Sequence, residues 1–172
     1  MRSTDVLLDG FGRVREVVHA AVDGLGRDEL AWRVDPEANS IGWLVWHLTR
    51  VQDDHVAEVA GHEQVWTSGG HAKAFDLAID DAETGYGHTA EQVAIVEVPS
   101  AELLIEYVDA VHQRTVDYVS GLSDDDLDRV VDEGWDPPVT LGVRLVSVIG
   151  DDLQHAGQAA YLRGLILRAD ND

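Results

Sequence analysis

Apolar residues recur at three- and four-residue intervals along four stretches of this 172-residue chain. That spacing gathers them on one side of an α-helix. The first stretch, from about Ser3 to Asp23, places Val6, Leu7, Phe11, Val14, Val17 and Val18 near the helical period, and Gly24 and Gly26 end it. Arg27 to Trp32 have room for a short extra turn. The second begins after Pro36 with Asn39 or Ser40 as N-cap and runs to Ala60, before Gly61. Its stripe includes Ile41, Leu44, Val45, Leu48, Val51 and Val59. The third follows Pro99, is capped by Ser100, and carries Leu103, Leu104, Tyr107, Val108, Val111, Val119 and Leu122. The fourth follows Pro137-Pro138 and runs from about Thr140 to Leu167, with Val143, Val146, Ile149, Leu153 and Ala160 as the expected buried side.

Two connections interrupt this plan. Between the second and third helices lie about 38 residues, Gly61 to Val98, far more than a bundle turn needs. Loops of that length in small domains are usually functional or mobile. This one carries Trp66, Gly69-Gly70, His71, Phe75, Tyr86 and His88, then Thr89-Ala90-Glu91-Gln92, which fits the capping box of a short helix. The second connection, Leu122 to Pro138, opens on another box-like signal, Ser123 to Asp126, and contains Trp135. No stretch alternates as a strand would. The pattern predicts an all-α four-helix bundle with one long crossover, filling a single domain over residues 1–172.

Composition narrows the function. Hydrophobic residues make up 45% of the chain, enough for a full core. With 33 acidic and 12 basic residues the formal charge is −21. That field repels phosphate backbones and anionic lipid surfaces, so neither nucleic acid nor membrane is an expected partner. No apolar run approaches the roughly 18 residues of a membrane span. Met1 to Asp5 lacks the charged-then-apolar order of a signal peptide, and a cytoplasmic location is expected. The chain has no cysteine, so a transition metal would need nitrogen and oxygen ligands, and a sulfur nucleophile would have to arrive as a cosubstrate.

One segment carries chemistry. Asp151 and His155 are one helical turn apart in an otherwise apolar run, so both project from one face. Asp152, at i,i+3 from His155, competes with Asp151 on spacing alone. A third ligand would come from His47, within Trp43-Leu44-Val45-Trp46-His47-Leu48. Three ligands leave open positions, as in catalytic rather than closed structural sites. Such a centre lowers the pKa of a bound thiol or water. Zinc suits the donor set, as do nickel and iron. Arg50, three residues after His47, and Arg144, seven before Asp151, lie near the ligand faces and are candidates for binding a substrate carboxylate or phosphate. An ordinary ion pair is the competing reading for each. Trp43, one turn before His47, could wall the pocket. Gln158 could hold a ligand from behind, and Gly157 could permit close helix approach. His55 lies two turns beyond His47, rotated by about 80°, and reads as a polar helix residue. His71 and His88 could reach the mouth of the site, His112 is expected to face solvent, and His19 and His62 belong to no constellation.

The Trp-rich His47 helix, the loop Asp81 to Thr89 and the terminal Asp-x-x-x-His-x-Gly-Gln pattern together resemble the DinB/YfiT-like family. More narrowly they resemble its actinobacterial branch of mycothiol-dependent maleylpyruvate isomerases and mycothiol S-transferases. That resemblance implies an up-down-down-up bundle, a metal at one bundle end held by His47, Asp151 and His155, and activation of a small-molecule thiol toward an electrophile. Many members have histidine where this chain has Asp151; the isomerase branch, like this chain, has a carboxylate. Two other functions fit the same residues: a non-catalytic bundle that binds a small ligand or partner, and a hydrolase using activated water. A homodimer is also expected, through apolar surface on the first and third long helices, because the other two are committed to the ligands.

Overall fold

Helix caps mark the limits of most long helices of the computed structural model, which describes residues 1–169. The first helix, α1 (Ser3–Val22), is followed by the one-turn α2 (Arg27–Ala31). The Ser40 side chain accepts a hydrogen bond from the Trp43 backbone N–H and opens α3 (Ile41–Ala60), which Gly61 closes in the left-handed conformation. The crossover is structured. It holds α4 (Val65–Ser68), α5 (His71–Phe75) and α6 (Ala90–Ile95), the last opened by the Thr89 capping box. Ser100 caps α7 (Ala101–Ser120), and Ser123 caps the short α8 (Asp124–Leu127). The longest helix, α9 (Leu141–Ala169), ends the described chain.

Two apolar clusters fix the directions of the four long helices. Leu7, Phe11, Val56, Val119, Leu141 and Leu145 meet at one end, so α1 and α9 start where α3 and α7 finish. Val18, Val22, Ile41, Leu104, Leu162 and Ile166 meet at the other. The order is therefore up-down-down-up. Helix α3 packs on α7 and α9, as does α1, while α1 and α3 lie diagonally across the core. Two consecutive helices running the same way, α3 and α7, require a chain return along the bundle, which explains the length of the crossover. Its Trp66, Phe75, Val93 and Val96 are part of the core.

Two features depart from the sequence expectation. A small antiparallel hairpin joins β1 (Val130–Asp132) to β2 (Val139–Thr140), with Val130 opposite Thr140 and Asp132 opposite Val139. Strands of two and three residues are too short to show alternation. The second departure is the face of α9. It buries Leu141, Leu145, Val148, Asp152, Ala156, Ala159, Leu162 and Ile166, whereas Val143, Val146 and Leu153, expected inside, are exposed. Apolar residues surround this helix, so the true phase is marked by Asp152, a residue that hydrophobicity alone turns outward.

Candidate metal centre and its cavity

Ten consecutive residues of α3, Ile41 to Arg50, are buried, because α7, α9 and the crossover enclose this half of the helix. His47 sits in that run and is 5% exposed. Its ring stacks on Trp43 one turn earlier, with centroids 4.6 Å apart. Its Nδ1 lies 2.5 Å from the Thr84 carbonyl oxygen. A carbonyl only accepts, so Nδ1 carries the proton and Nε2 keeps its lone pair. Burial holds the imidazole below its ordinary pKa, the more so with His155 nearby, although the Thr84 bond opposes this. The neutral ring is the form a metal takes.

The other two groups come from α9, across the α3–α9 contact. His155 Nδ1 pairs with Gln158 Oε1 at 2.9 Å, leaving Nε2 directed toward Asp151 Oδ1 at 3.7 Å. One atom each from His47, Asp151 and His155 lies within 4.8 Å of the others. Asp151 Oδ2 is buried without a hydrogen-bond partner. Two imidazoles with Nδ1 occupied from behind and a carboxylate oxygen lacking a partner form a donor set that fits a divalent cation. Ligand atoms about 3.4 Å apart suit bonds of ~2.1 Å, a modest contraction for the half-buried side chains of Asp151 and His155. Asp152 stands apart from this group. It points into the bundle, fully buried, with neither carboxylate oxygen partnered. Burial, reinforced by the Asp151 charge, pushes its carboxyl well above the usual range, so it is the neutral acid.

The crossover braces His47 from behind. Gly85 at φ +91° packs so closely that a Cβ there would meet His47 Nδ1 at 2.8 Å, Trp46 at 3.0 Å and Trp43 at 3.2 Å. Trp43 Nε1 donates to His88 Nδ1 at 3.2 Å, and His88 Nε2 then donates to Glu83 Oε2 at 2.7 Å. Arg50 holds the same segment. Fully buried, it donates to the carbonyl oxygens of Asp81 and Glu83 and to Gln64 Oε1. It also lies over the Trp66 ring. Its guanidinium is thus turned away from the cavity and bound to the loop, so Arg50 anchors the Thr84 carbonyl rather than offering a cation to a substrate. Trp43 walls His47 directly, and His88 supports Trp43. His71 packs on Tyr107, and His19 pairs with Asp109, both away from the cluster. A Cβ at Gly157 would meet no atom within 4 Å, so this exposed residue of α9 is not at a close helix contact.

Beside the cluster lies a cavity of about 620 Å³ that His47 and Asp151 both line. Val51 and Val148 form apolar wall, Tyr86 and Trp135 stand at the mouth, and His55, Arg144 and Asp132 close the far end. Arg144 therefore reaches the cavity, but two of its nitrogens are engaged, Nη2 with Asp132 Oδ2 at 3.0 Å and Nη1 with His55 Nδ1 at 2.9 Å. His55 is the cavity residue that sequence reasoning missed. The signal was present: in antiparallel helices that meet at His47 and Asp151, eight residues onward on one and seven backward on the other lead to the same level.

Comparison with known proteins agrees with this architecture. The model of the DinB superfamily matches residues 11–159. A crystal structure of a conserved protein from Enterococcus faecalis superimposes with a TM-score of 0.90, at 31% identity over 97% of this chain and 98% of that one. No curated protein matches the chain.

Proposed function

The chain belongs to the DinB superfamily, and on that premise we propose that it is a metal-dependent enzyme acting on a low-molecular-weight thiol, as an S-transferase or isomerase of the mycothiol type. The observation that carries the reading is the donor set itself: His47 and His155 with their Nδ1 atoms occupied, and an unpartnered Asp151 oxygen, at the edge of a 620 Å³ cavity. Cavities of that size enclose small organic ligands. A divalent ion held there, zinc by preference, supplies Lewis acidity and lowers the pKa of a coordinating thiol. The chain supplies no cysteine, so the sulfur belongs to a cosubstrate and the electrophile is the second ligand. Thr84, Gly85 and Gln158 orient the imidazoles, and the apolar cavity wall excludes water.

Elemental analysis of the purified protein, followed by a thiol-consumption screen with mycothiol, bacillithiol and glutathione across electrophiles, tests this. The expected result is one divalent ion per chain and consumption of one thiol. A protein that takes up no divalent ion sinks the reading, and metal uptake without turnover of any thiol favours a ligand-binding bundle.

We also propose a homodimer, on a different face from the one expected. On α1 and α7 the one exposed large apolar side chain is Val6. On α9, by contrast, Val143, Val146, Leu153 and Tyr161 are exposed, and from 143 to 161 the exposed side chains are uncharged apart from Asp151, which belongs to the ligand cluster. In a chain of charge −21, a face with so little charge is where two copies meet with least repulsion. Light scattering should show a dimer that persists or tightens as salt rises.

A further inference from the structure

Three side chains from three elements form a hydrogen-bonded row at the far end of the cavity. Asp132, at the end of β1, accepts from Arg144 on α9, and Arg144 donates to Nδ1 of His55 on α3. A guanidinium has only donors, so Nδ1 of His55 presents its lone pair and the ring proton sits on Nε2. Burial, with the Arg144 charge second, holds this imidazole below its ordinary pKa, so the ring stays neutral at pH 7. Among the described residues no protein group pairs with Nε2, and His55 lines the cavity. His55 thus brings to the cavity a neutral ring with an unpaired N–H, its tautomer set by Arg144.

The surroundings narrow the ligand. Asp54, Asp132 and Asp151 share the cavity with Arg144, whose charge is engaged by Asp132. A carboxylate would face this acidic wall, and an ammonium group would meet a donor, not an acceptor, at His55. Tyr86, 92% exposed, and Trp135, 68% exposed, offer ring faces at the mouth, which suit a flat apolar body. His55 is eight residues from His47, about 12 Å along the helix at 1.5 Å per residue.

We propose that His55 is the substrate-binding hydrogen-bond donor of this cavity, fixed in its Nε2–H form by the positioning residues Arg144 and Asp132. The ligand it selects carries a neutral carbonyl oxygen about two helical turns from the His47–Asp151–His155 cluster, on a planar apolar body. This deepens the metal-dependent reading and rests on it for calling the ligand a substrate.

The test uses the full chain with added zinc, ¹⁵N NMR of the imidazoles, and three one-ring probes: benzamide, benzoate and benzylamine. Wild type should show His55 as a single Nε2–H tautomer, and Arg144→Met should release it to a mixture. Benzamide should shift His55 Nε2 and the Trp135 indole, and bind tighter than benzoate or benzylamine. His55→Leu should weaken benzamide about tenfold, the worth of one hydrogen bond. His55→Gln, whose amide can accept from Arg144 and donate to the cavity, should restore binding to within about threefold. Zinc content should be unchanged in every variant, because none touches the cluster. An Nδ1–H tautomer in wild type, tighter binding of benzoate or benzylamine, or undiminished benzamide binding by His55→Leu would each overturn the proposal. Loss of zinc binding with an intact His55 response would overturn the metal reading alone.

Discussion

Helices α3 and α9 both supply ligands to the candidate centre, and they hold them in opposite ways. The His47 half of α3 is enclosed on every side, with Trp43 stacked on the ring, Gly85 against it and the Thr84 carbonyl on Nδ1. Helix α9 is wrapped on one side only. The Asp151 side chain is 40% exposed, and Gln158, which holds His155, is exposed as well. One helix provides a fixed reference atom, and the other provides ligands free to adjust around it. A site built this way needs one ligand held by a dense set of neighbours, and it tolerates looser support for the rest.

The contrast is most open to attack at its fixed point. His47→Ala should bring bound metal to background while the helix survives, because alanine is the better helix former. Metal content and a thermal melt check both halves, and stoichiometric metal in the variant would refute the ligand assignment. Gly85→Val comes next. Its Cβ would start 2.8 Å from His47 Nδ1, at a φ that side chains avoid. Zinc affinity should fall about 10–100-fold, as for lost support behind a ligand. A titration giving wild-type affinity would mean that the crossover does not hold His47.

Asp152 probes α9 from its inner face. In the unfolded chain this carboxyl ionises above 3.8, whereas the fold raises its pKa well beyond that and keeps it protonated. Rising pH therefore favours the unfolded state, and the acid's relative contribution is fully present only below pH 3.8. Asp152→Asn, isosteric and neutral at every pH, should match wild type near pH 4. As pH rises it should become the more stable of the two, by a margin that grows with pH. Urea melts of the metal-free chain at both pH values decide it, and a gain that shrinks with pH would contradict the buried neutral acid. Smallest of all is Gln158→Ala, expected to cost less than about tenfold in zinc affinity because water can replace an exposed amide. A loss as large as that from Gly85→Val would erase the distinction between the two helices.

The four long helices, their caps and the Asp151–His155 pair were legible in the sequence, because Ser40, Ser100 and Gly61 act locally and i,i+4 spacing is fixed by the helix; the choice of Asp151 over Asp152, and of His47 as third member, leaned on the family resemblance. The face of α9 was not. Periodicity assigns burial by hydrophobicity, and here Val146 and Leu153 point outward while Asp152 points in. Arg50 was legible as near the site but not as its scaffold, since its partners are carbonyls of residues 81 and 83, more than 30 positions away. His55 was passed over because it was weighed only as a metal ligand, and the level it shares with Arg144 emerges only when two antiparallel helices are laid side by side.

Gln158 faces two ways. Its amide orients His155, and it stands on the sparsely charged outer surface of α9. Whatever covers that surface meets a group that the ion also depends on, so the two associations form one linked equilibrium. A partner that held the amide more firmly on His155 would raise affinity for an ion by the same factor by which the ion raised affinity for the partner. A partner that drew the amide away would lower both, and were that partner a second copy, occupancy of the centre would be a function of how crowded the chain is with its own kind.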